Sequence, residues 1–118
     1  MGAAALDRTL SALADPTRRG AVELLMRGPL RAGELAAALG ASPPALSRHL
    51  RVLRGTGLVV EADHPGDARV RLLRLRPEPL LALRGRLDEV EAIWGAQLAS
   101  FQAHATRAAR GAPGRRRR

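Results

Sequence analysis

The sequence contains no cysteine. Without thiols the chain cannot form a disulfide, bind a metal through thiolates, use a cysteine nucleophile or sense redox state through a thiol. It also lacks any stretch close to the roughly 18 consecutive apolar residues that span a bilayer. Its N-terminus has no basic segment and carries Asp7 and Arg8 within its first apolar stretch, unlike a secretion signal. We therefore expect a cytoplasmic protein with no membrane partner.

Negative charge is absent from the end of the sequence, where the last twelve residues contain six arginines and no acid. The whole chain of 118 residues has a net charge of +9, and all 20 of its cations are arginine. The first 106 residues therefore hold 14 arginines against 11 acids. We expect one folded domain over 1–106 and a disordered arginine-rich tail over 107–118. The tail is either an arm that binds phosphate or an inert solvated end.

Apolar spacing and capping residues predict a mainly helical chain with one hairpin. Asp15-Pro16 and Ser42-Pro43 are helix starts, in which the first residue caps and proline takes the first helical position. Gly40 is expected to end the third helix in the left-handed conformation. The alternation of the second strand slips at Leu72-Leu73, which predicts a bulge there. The four predicted early helices cover about 4–13, 16–27, 32–39 and 43–54, and the predicted strands about 58–60 and 68–76.

The fourth helix has two different faces. Leu46, Leu50 and Leu53 form its apolar stripe, so the opposite face carries small and cationic residues. That composition suits an element that enters the major groove of DNA.

The last helix is the longest, with apolar residues stepping by three or four over about 28 positions, or roughly 40 Å. Both aromatic residues of the chain lie on this stripe. The helix could fold back on its own domain, but its length favours burial against a second copy. The predicted dimer contacts are Leu6 and Leu10 of the first helix and Leu87, Val90, Trp94, Leu98 and Phe101 of the last.

Four segments together resemble the ArsR family of winged helix–turn–helix bacterial repressors. They are ADPTRRGAVELLMRGPL, GELAAALGASPPALSRHLRVLRGTGLV, the arginine-rich hairpin ending in RLRPEPL, and the long helix with IWGAQLASF. The resemblance implies the order α-α-α-α-β-β-α and a cytoplasmic homodimer held by its terminal helices. It also implies that the fourth helix enters the major groove of double-stranded DNA while the wing follows the adjacent backbone.

Carried over by position, the resemblance assigns roles along the fourth helix. Ser42 caps it, so that its N-terminal amides face a phosphate. Pro44, Ala45 and Ser47 approach base edges, and Arg48 makes the strongest base or phosphate contact. Arg51 either meets a phosphate or is solvated, and His49 is either structural or a DNA contact.

In the wing, Arg69 and Arg71 are the expected phosphate partners. The chain departs from the family here, because Glu61, Asp63 and Asp67 surround a turn that is commonly more basic in relatives. Arg18 and Arg19 also match the family, but near a helix N-terminus they are expected to be paired or structural.

The family's metal ligands are not reproduced. Arg31 and Gly33 stand where arsenic-type members have cysteines. The last helix offers the acids Asp88, Glu89 and Glu91 and, thirteen residues beyond the nearest of them, a single His104. Zinc-type members instead have facing pairs. A second copy could still bring an acid near His104 of the partner subunit. We expect no metal and no cofactor, as in the metal-free branch of the family, and the effector is unknown.

These features predict a sequence-specific DNA-binding regulator, most simply a repressor, that binds an inverted-repeat operator as a homodimer. The alternative is a non-specific architectural nucleic-acid binder driven by the arginine tail. An enzyme has little support, because the sequence contains no glycine-rich phosphate loop and no plausible pair of catalytic carboxylates.

Overall fold

A computed structural model describes residues 2–111, and within that range the elements follow the order α-α-α-α-β-β-α. The elements are α1 (Ala3–Leu13), α2 (Pro16–Met26), α3 (Ala32–Leu39), α4 (Pro43–Gly55), β1 (Val59–His64), β2 (Asp67–Leu75) and α5 (Glu78–Arg110). This is the predicted winged helix–turn–helix order. No helix of the described part is both long enough and apolar enough to cross a membrane.

The predicted helix caps are confirmed. The Asp15 carboxylate accepts a hydrogen bond from the backbone N–H of Arg18 at 3.0 Å, and the Ser42 hydroxyl accepts one from that of Ala45 at 3.3 Å. Proline follows each cap at the first helical position. Gly40 ends α3 with a φ of 64°, a left-handed conformation that glycine adopts without a steric penalty.

The chain divides into two compact units, of which the first ends at Leu83. In this unit, α2 and α3 approach so closely that a Cβ on Gly20 would lie 2.9 Å from Leu39 Cδ2. Apolar residues of α1 to α4 and both strands share one core, which fixes the inner face of α4. Its buried members are Ala12, Ala21, Val22, Leu25, Leu35, Ala36, Leu46, Leu50, Leu53, Leu58, Val59 and Leu73.

The predicted bulge at Leu72-Leu73 is wrong. Antiparallel pairing is regular from Val59 opposite Leu75 to Asp63 opposite Arg71, and the irregularity falls beside the turn, between Asp63 and His64. Leu73 is buried, and successive side chains of a strand point to opposite faces, so Leu72 belongs to the other face. Two adjacent leucines on two partly apolar faces therefore produce the slip in the sequence pattern.

Leu30 extends the hairpin by one residue on its open edge. Its backbone N–H donates to Leu73 O at 3.1 Å, and the N–H of Leu73 donates to Leu30 O at 2.7 Å. The sequence does not predict this bridge, because a single residue flanked by proline and arginine has no strand periodicity.

The second unit begins at Arg84 and contains the rest of α5. The helix runs through Arg110, so the prediction of disorder from residue 107 is wrong for residues 107–110. Thr106 to Arg110 include good helix formers, and arginine is favourable in the last turn of a helix, where the dipole is negative. Residues 112–118, the rest of the predicted tail, lie outside the described range.

Candidate nucleic-acid interface

The outer face of α4 is exposed while its inner face is fixed in the core. Leu46 is 2% exposed, Leu50 4% and Leu53 0%. The helix therefore presents a surface of small and cationic side chains on a rigid support, as groove binding requires. Of the predicted contact residues on this side, Ala45 is half-buried and the others are exposed: Ser42, Pro44, Ser47, Arg48 and Arg51.

The two arginines of this face are electrostatically available. Within residues 2–111, no carboxylate lies within 4.0 Å of a guanidinium nitrogen of Arg48 or Arg51. An unpaired guanidinium can form bidentate bonds with a phosphate or with the O6 and N7 atoms of guanine. The N-terminal turn of α4 adds a positive dipole end to the same surface. It offers few backbone donors to a phosphate, because Pro43 and Pro44 have no N–H and the amide of Ala45 is bonded to Ser42 Oγ.

His49 lies on a different side of α4 from Arg48. Its side chain is 23% exposed, and its Nδ1 atom is 3.4 Å from Arg18 Nη1 and 3.8 Å from Asp15 Oδ2. These contacts place the ring against the start of α2. Of the two alternatives for this residue, the geometry favours the structural one.

The wing, which is the hairpin of β1 and β2, presents its two predicted phosphate partners in ion pairs. Arg69 Nε lies 3.3 Å from Asp67 Oδ1, and Arg71 Nη1 lies 2.7 Å from Asp63 Oδ1. The backbone N–H and the side chain of Arg69 hold the pKa of Asp67 below its ordinary value of 3.8. Two of the three acids around the turn, Asp63 and Asp67, are therefore paired with the predicted phosphate partners.

A further ion pair joins α4, the predicted recognition helix, to the wing. Arg54, in the last turn of α4, lies 2.6 Å from Glu61 Oε1 of β1 through its Nη2 atom. The sequence does not predict this contact. Helical spacing places Arg54 beside the buried stripe, but the direction of β1 relative to α4 decides which side chain Arg54 meets. This pair therefore connects the last turn of α4 to β1.

Arg18 and Arg19 are structural, as predicted, and bind backbone oxygens at the end of α1. Arg18 Nε donates to Ala12 O at 2.7 Å, and Arg19 Nη1 donates to Leu13 O at 2.8 Å. The Arg18 backbone N–H also lowers the pKa of Asp15, which its bond stabilises as a carboxylate.

The predicted dimer residues of α5 are largely uncovered in a single chain. Leu87, Trp94, Leu98 and Phe101 are between 55% and 72% exposed, and Ile93, which is not among the predicted contacts, is 60% exposed. Val90 and Leu6 are half-buried, and Leu10 is 47% exposed. Ile93 lies three residues after Val90, beside the predicted apolar stripe.

The described residues contain no group of three or more histidine, cysteine, aspartate and glutamate side chains placed to hold a metal ion. Arg31 and Gly33, at the start of α3, have no atoms suited to metal ligation.

Comparison with known proteins places this arrangement among bacterial regulators. Residues 15–60 match the model of a family described as "Bacterial regulatory protein, arsR family". The chain is similar to the HTH-type transcriptional regulator Rv2034 of Mycobacterium tuberculosis, with 51% identity over 82 residues, or 70% of this chain and 74% of the relative. It is also 34% identical over 59 residues to the transcriptional repressor SdpR of Bacillus subtilis, covering 50% of this chain and 63% of SdpR.

Among solved structures, the crystal structure of the ArsR family transcriptional regulator RHA00566 superposes with a TM-score of 0.70. The two chains are 30% identical, and the match covers 80% of this chain and 95% of the other.

Proposed function

The chain belongs to the ArsR family of bacterial regulatory proteins, and from that premise we propose that it is a cytoplasmic, sequence-specific repressor. It binds an inverted-repeat operator as a homodimer and blocks transcription by occupying the promoter. The observation that carries this proposal is the outer face of α4, where Arg48 and Arg51 are unpaired among the described residues while the inner face is locked in the core. The named relatives are an HTH-type transcriptional regulator and a transcriptional repressor.

The exposed apolar stripe of α5 supports a dimer. A row of large apolar side chains from Leu87 to Phe101 is unfavourable in water, and a second copy of the same stripe would cover it. Two α4 helices related by a two-fold axis would then lie about one helical turn apart, or about 34–36 Å, and would contact two half-sites.

Selection of DNA fragments from the protein's own genome tests the proposal directly. The bound fragments are sequenced with and without EDTA, and affinity for the recovered site is compared with affinity for a scrambled duplex of equal length. We expect a shared inverted repeat, about a thousandfold or greater preference for it, consistent with specific binders, and no effect of EDTA. Equal affinity for both duplexes at physiological salt would refute sequence-specific repression.

The dimer has its own test. Trp94→Ala and Phe101→Ala should shift sedimentation toward the monomer and weaken operator binding. Ala99→Ser, at an exposed position of the same helix off the stripe, should change neither. A wild-type chain that sediments as a monomer while binding the inverted repeat would contradict the dimer.

Deletion of 115–118 separates the proposal from the non-specific alternative. If the tail binds phosphates, the deletion makes the slope of log affinity against log salt shallower by up to about 0.9 for each phosphate that is no longer neutralised. Preference for the operator should survive this deletion, whereas a binder driven by the tail would lose nearly all of its affinity.

A further inference from the structure

Three side chains, Asp15, Arg18 and His49, form a polar cluster between α2 and the recognition helix. Arg18 Nη1 is 3.4 Å from His49 Nδ1, and Asp15 Oδ2 is 3.8 Å from the same nitrogen. Asp15 Oδ2 also accepts the backbone N–H of Arg18 at 3.0 Å. The cluster is half-buried, since the side chains of His49 and Asp15 are 23% and 30% exposed.

Arg18 also binds the C-terminal end of α1. Its Nε donates to Ala12 O at 2.7 Å and its Nη2 donates to Ser11 O at 3.2 Å. The last carbonyls of a helix lack partners within the helix, so a guanidinium is a favourable partner for them. One side chain therefore contacts the end of α1 and a residue of α4 at once.

We propose that Arg18 is a positioning residue that sets the rotation of α4 through His49, and that His49 acts on DNA binding through this contact and not by touching DNA. The proposal rests on the proposed DNA-binding function. It also links α1, a predicted dimer element, to the helix that contacts the operator.

The chemistry of the contact is directional. A guanidinium only donates hydrogen bonds, so this bond requires the Nδ1 atom of His49 to be the unprotonated, accepting nitrogen. The charged side chains that α2 and its cap place against the ring are Asp15 and Arg18, while the end of α1 contributes carbonyl oxygens to Arg18.

The position of His49 explains how such a contact affects DNA. His49 follows Arg48 directly, and adjacent residues of a helix are separated by about 100°. A small rotation of α4 that breaks the contact would therefore displace the guanidinium of Arg48 on the outer face. Loss of geometry affects base contacts more than phosphate contacts, because base contacts depend on defined hydrogen-bond directions.

Arg19 provides a matched control. It donates to Leu13 O and Ala14 O at 2.8 and 3.1 Å, so it also binds the α1–α2 junction. Arg19 is an arginine on the same helix, and no bond to α4 is formed by its guanidinium in the described structure. Arg18→Gln and Arg19→Gln remove the same charge, and only the first removes the link to α4.

The DNA test uses the duplex selected by the wild-type protein from its own genome, together with a scrambled duplex of equal length. Arg18→Gln and His49→Ala should each weaken operator binding about tenfold, which is within the range of couplings between contacting residues. The double variant should bind the operator as tightly as the single variant with the larger loss, because both substitutions remove the same contact. Affinity for the scrambled duplex and the salt dependence should stay unchanged. His49→Asn, whose side-chain oxygen can accept from Arg18, should retain most of the binding, and Arg19→Gln should retain all of it.

Any of three results would overturn the proposal. The first is a double variant whose loss of affinity is the sum of the two single losses, and the second is an equal loss of affinity in Arg19→Gln and Arg18→Gln. The third is a slope of log affinity against log salt that falls by about one in His49→Ala, which marks a direct phosphate contact. Arg18→Lys keeps the charge and replaces Arg18→Gln if the latter does not fold. Lysine lacks the planar guanidinium that donates to several acceptors at once, so we expect a partial loss of operator affinity.

A measurement without DNA separates failure of this proposal from failure of the proposed function. In ¹⁵N spectra at about pH 8, where an ordinary histidine is neutral, the His49 ring should carry its proton on Nε2, and Arg18→Gln should change that signal while Arg19→Gln should not. An unchanged ring signal in Arg18→Gln overturns the positioning role even if the wild-type protein binds its operator. A wild-type protein without operator preference overturns the proposed function and, with it, the role in DNA binding.

Discussion

The outer face of α4 and the turn end of the wing both carry arginines predicted to contact DNA, but these arginines are in different electrostatic states. Arg48 and Arg51 on α4 have no ion-pair partner among the described residues, whereas Arg69 and Arg71 on β2 are paired with Asp67 and Asp63. Exposed ion pairs contribute only about 0–1 kcal/mol, so a phosphate can compete for the wing arginines, but it gains less than from a free cation. The availability of charge, and not the number of arginines, distinguishes the two regions.

The largest expected effect follows from removing a free arginine. Arg48→Ala should weaken operator binding by about 1–3 kcal/mol, the range for a bidentate base contact. The matched wing variant, Arg71→Ala, should lose less than about 1 kcal/mol, because its ion pair with Asp63 already offsets its charge. Fluorescence anisotropy titrations of both variants test the difference, and a larger loss for Arg71→Ala would reverse the comparison.

Releasing a paired arginine should have a smaller and opposite effect. In Asp63→Asn the guanidinium of Arg71 loses its carboxylate partner, so affinity for operator and scrambled duplexes should rise several-fold. The slope of log affinity against log salt should steepen by about 0.9 if one more phosphate is neutralised. Asp88→Asn, the same charge change on α5, is the control and should have no comparable effect. An unchanged salt slope in Asp63→Asn would show that the wing does not reach DNA.

The sequence predicts most of the α4 region, whereas for the wing it predicts the hairpin but not its pairing. The α4 boundaries, its cap at Ser42 and its buried stripe follow from local spacing and capping chemistry, which act within a few residues. The wing depends on pairing between distant residues: the register that brings Asp63 beside Arg71 and the bridge from Leu30 to Leu73 have no local pattern. The contact of His49 with α2 is also tertiary, so periodicity places the ring only at the edge of the buried stripe.

The smallest expected effect concerns pH. Hydrogen bonds from the backbone and side chain of Arg69 lower the pKa of Asp67, so its carboxylate and its ion pair persist through the range from about pH 5 to 8. A carboxyl whose pKa is depressed on folding stabilises the protein above its unfolded pKa and loses that contribution as pH falls through the folded value. The free energy of unfolding should therefore decline below about pH 4, and Asp67→Asn should make that decline slightly shallower. Urea unfolding at a series of pH values measures this, and an Asp67→Asn profile that declines more steeply than that of the wild type would contradict it.

In the proposed mechanism, the unpaired face of α4 selects the operator sequence while the wing adds affinity without sequence preference. The decisive experiment measures binding of wild-type, Arg48→Ala and Arg71→Ala proteins to every single-base variant of the selected operator. We expect Arg48→Ala to lose discrimination at one position in each half-site, symmetrically, and Arg71→Ala to keep the wild-type base preferences. Uniform weakening by Arg48→Ala on all variants, together with altered base preferences for Arg71→Ala, would refute this division of roles.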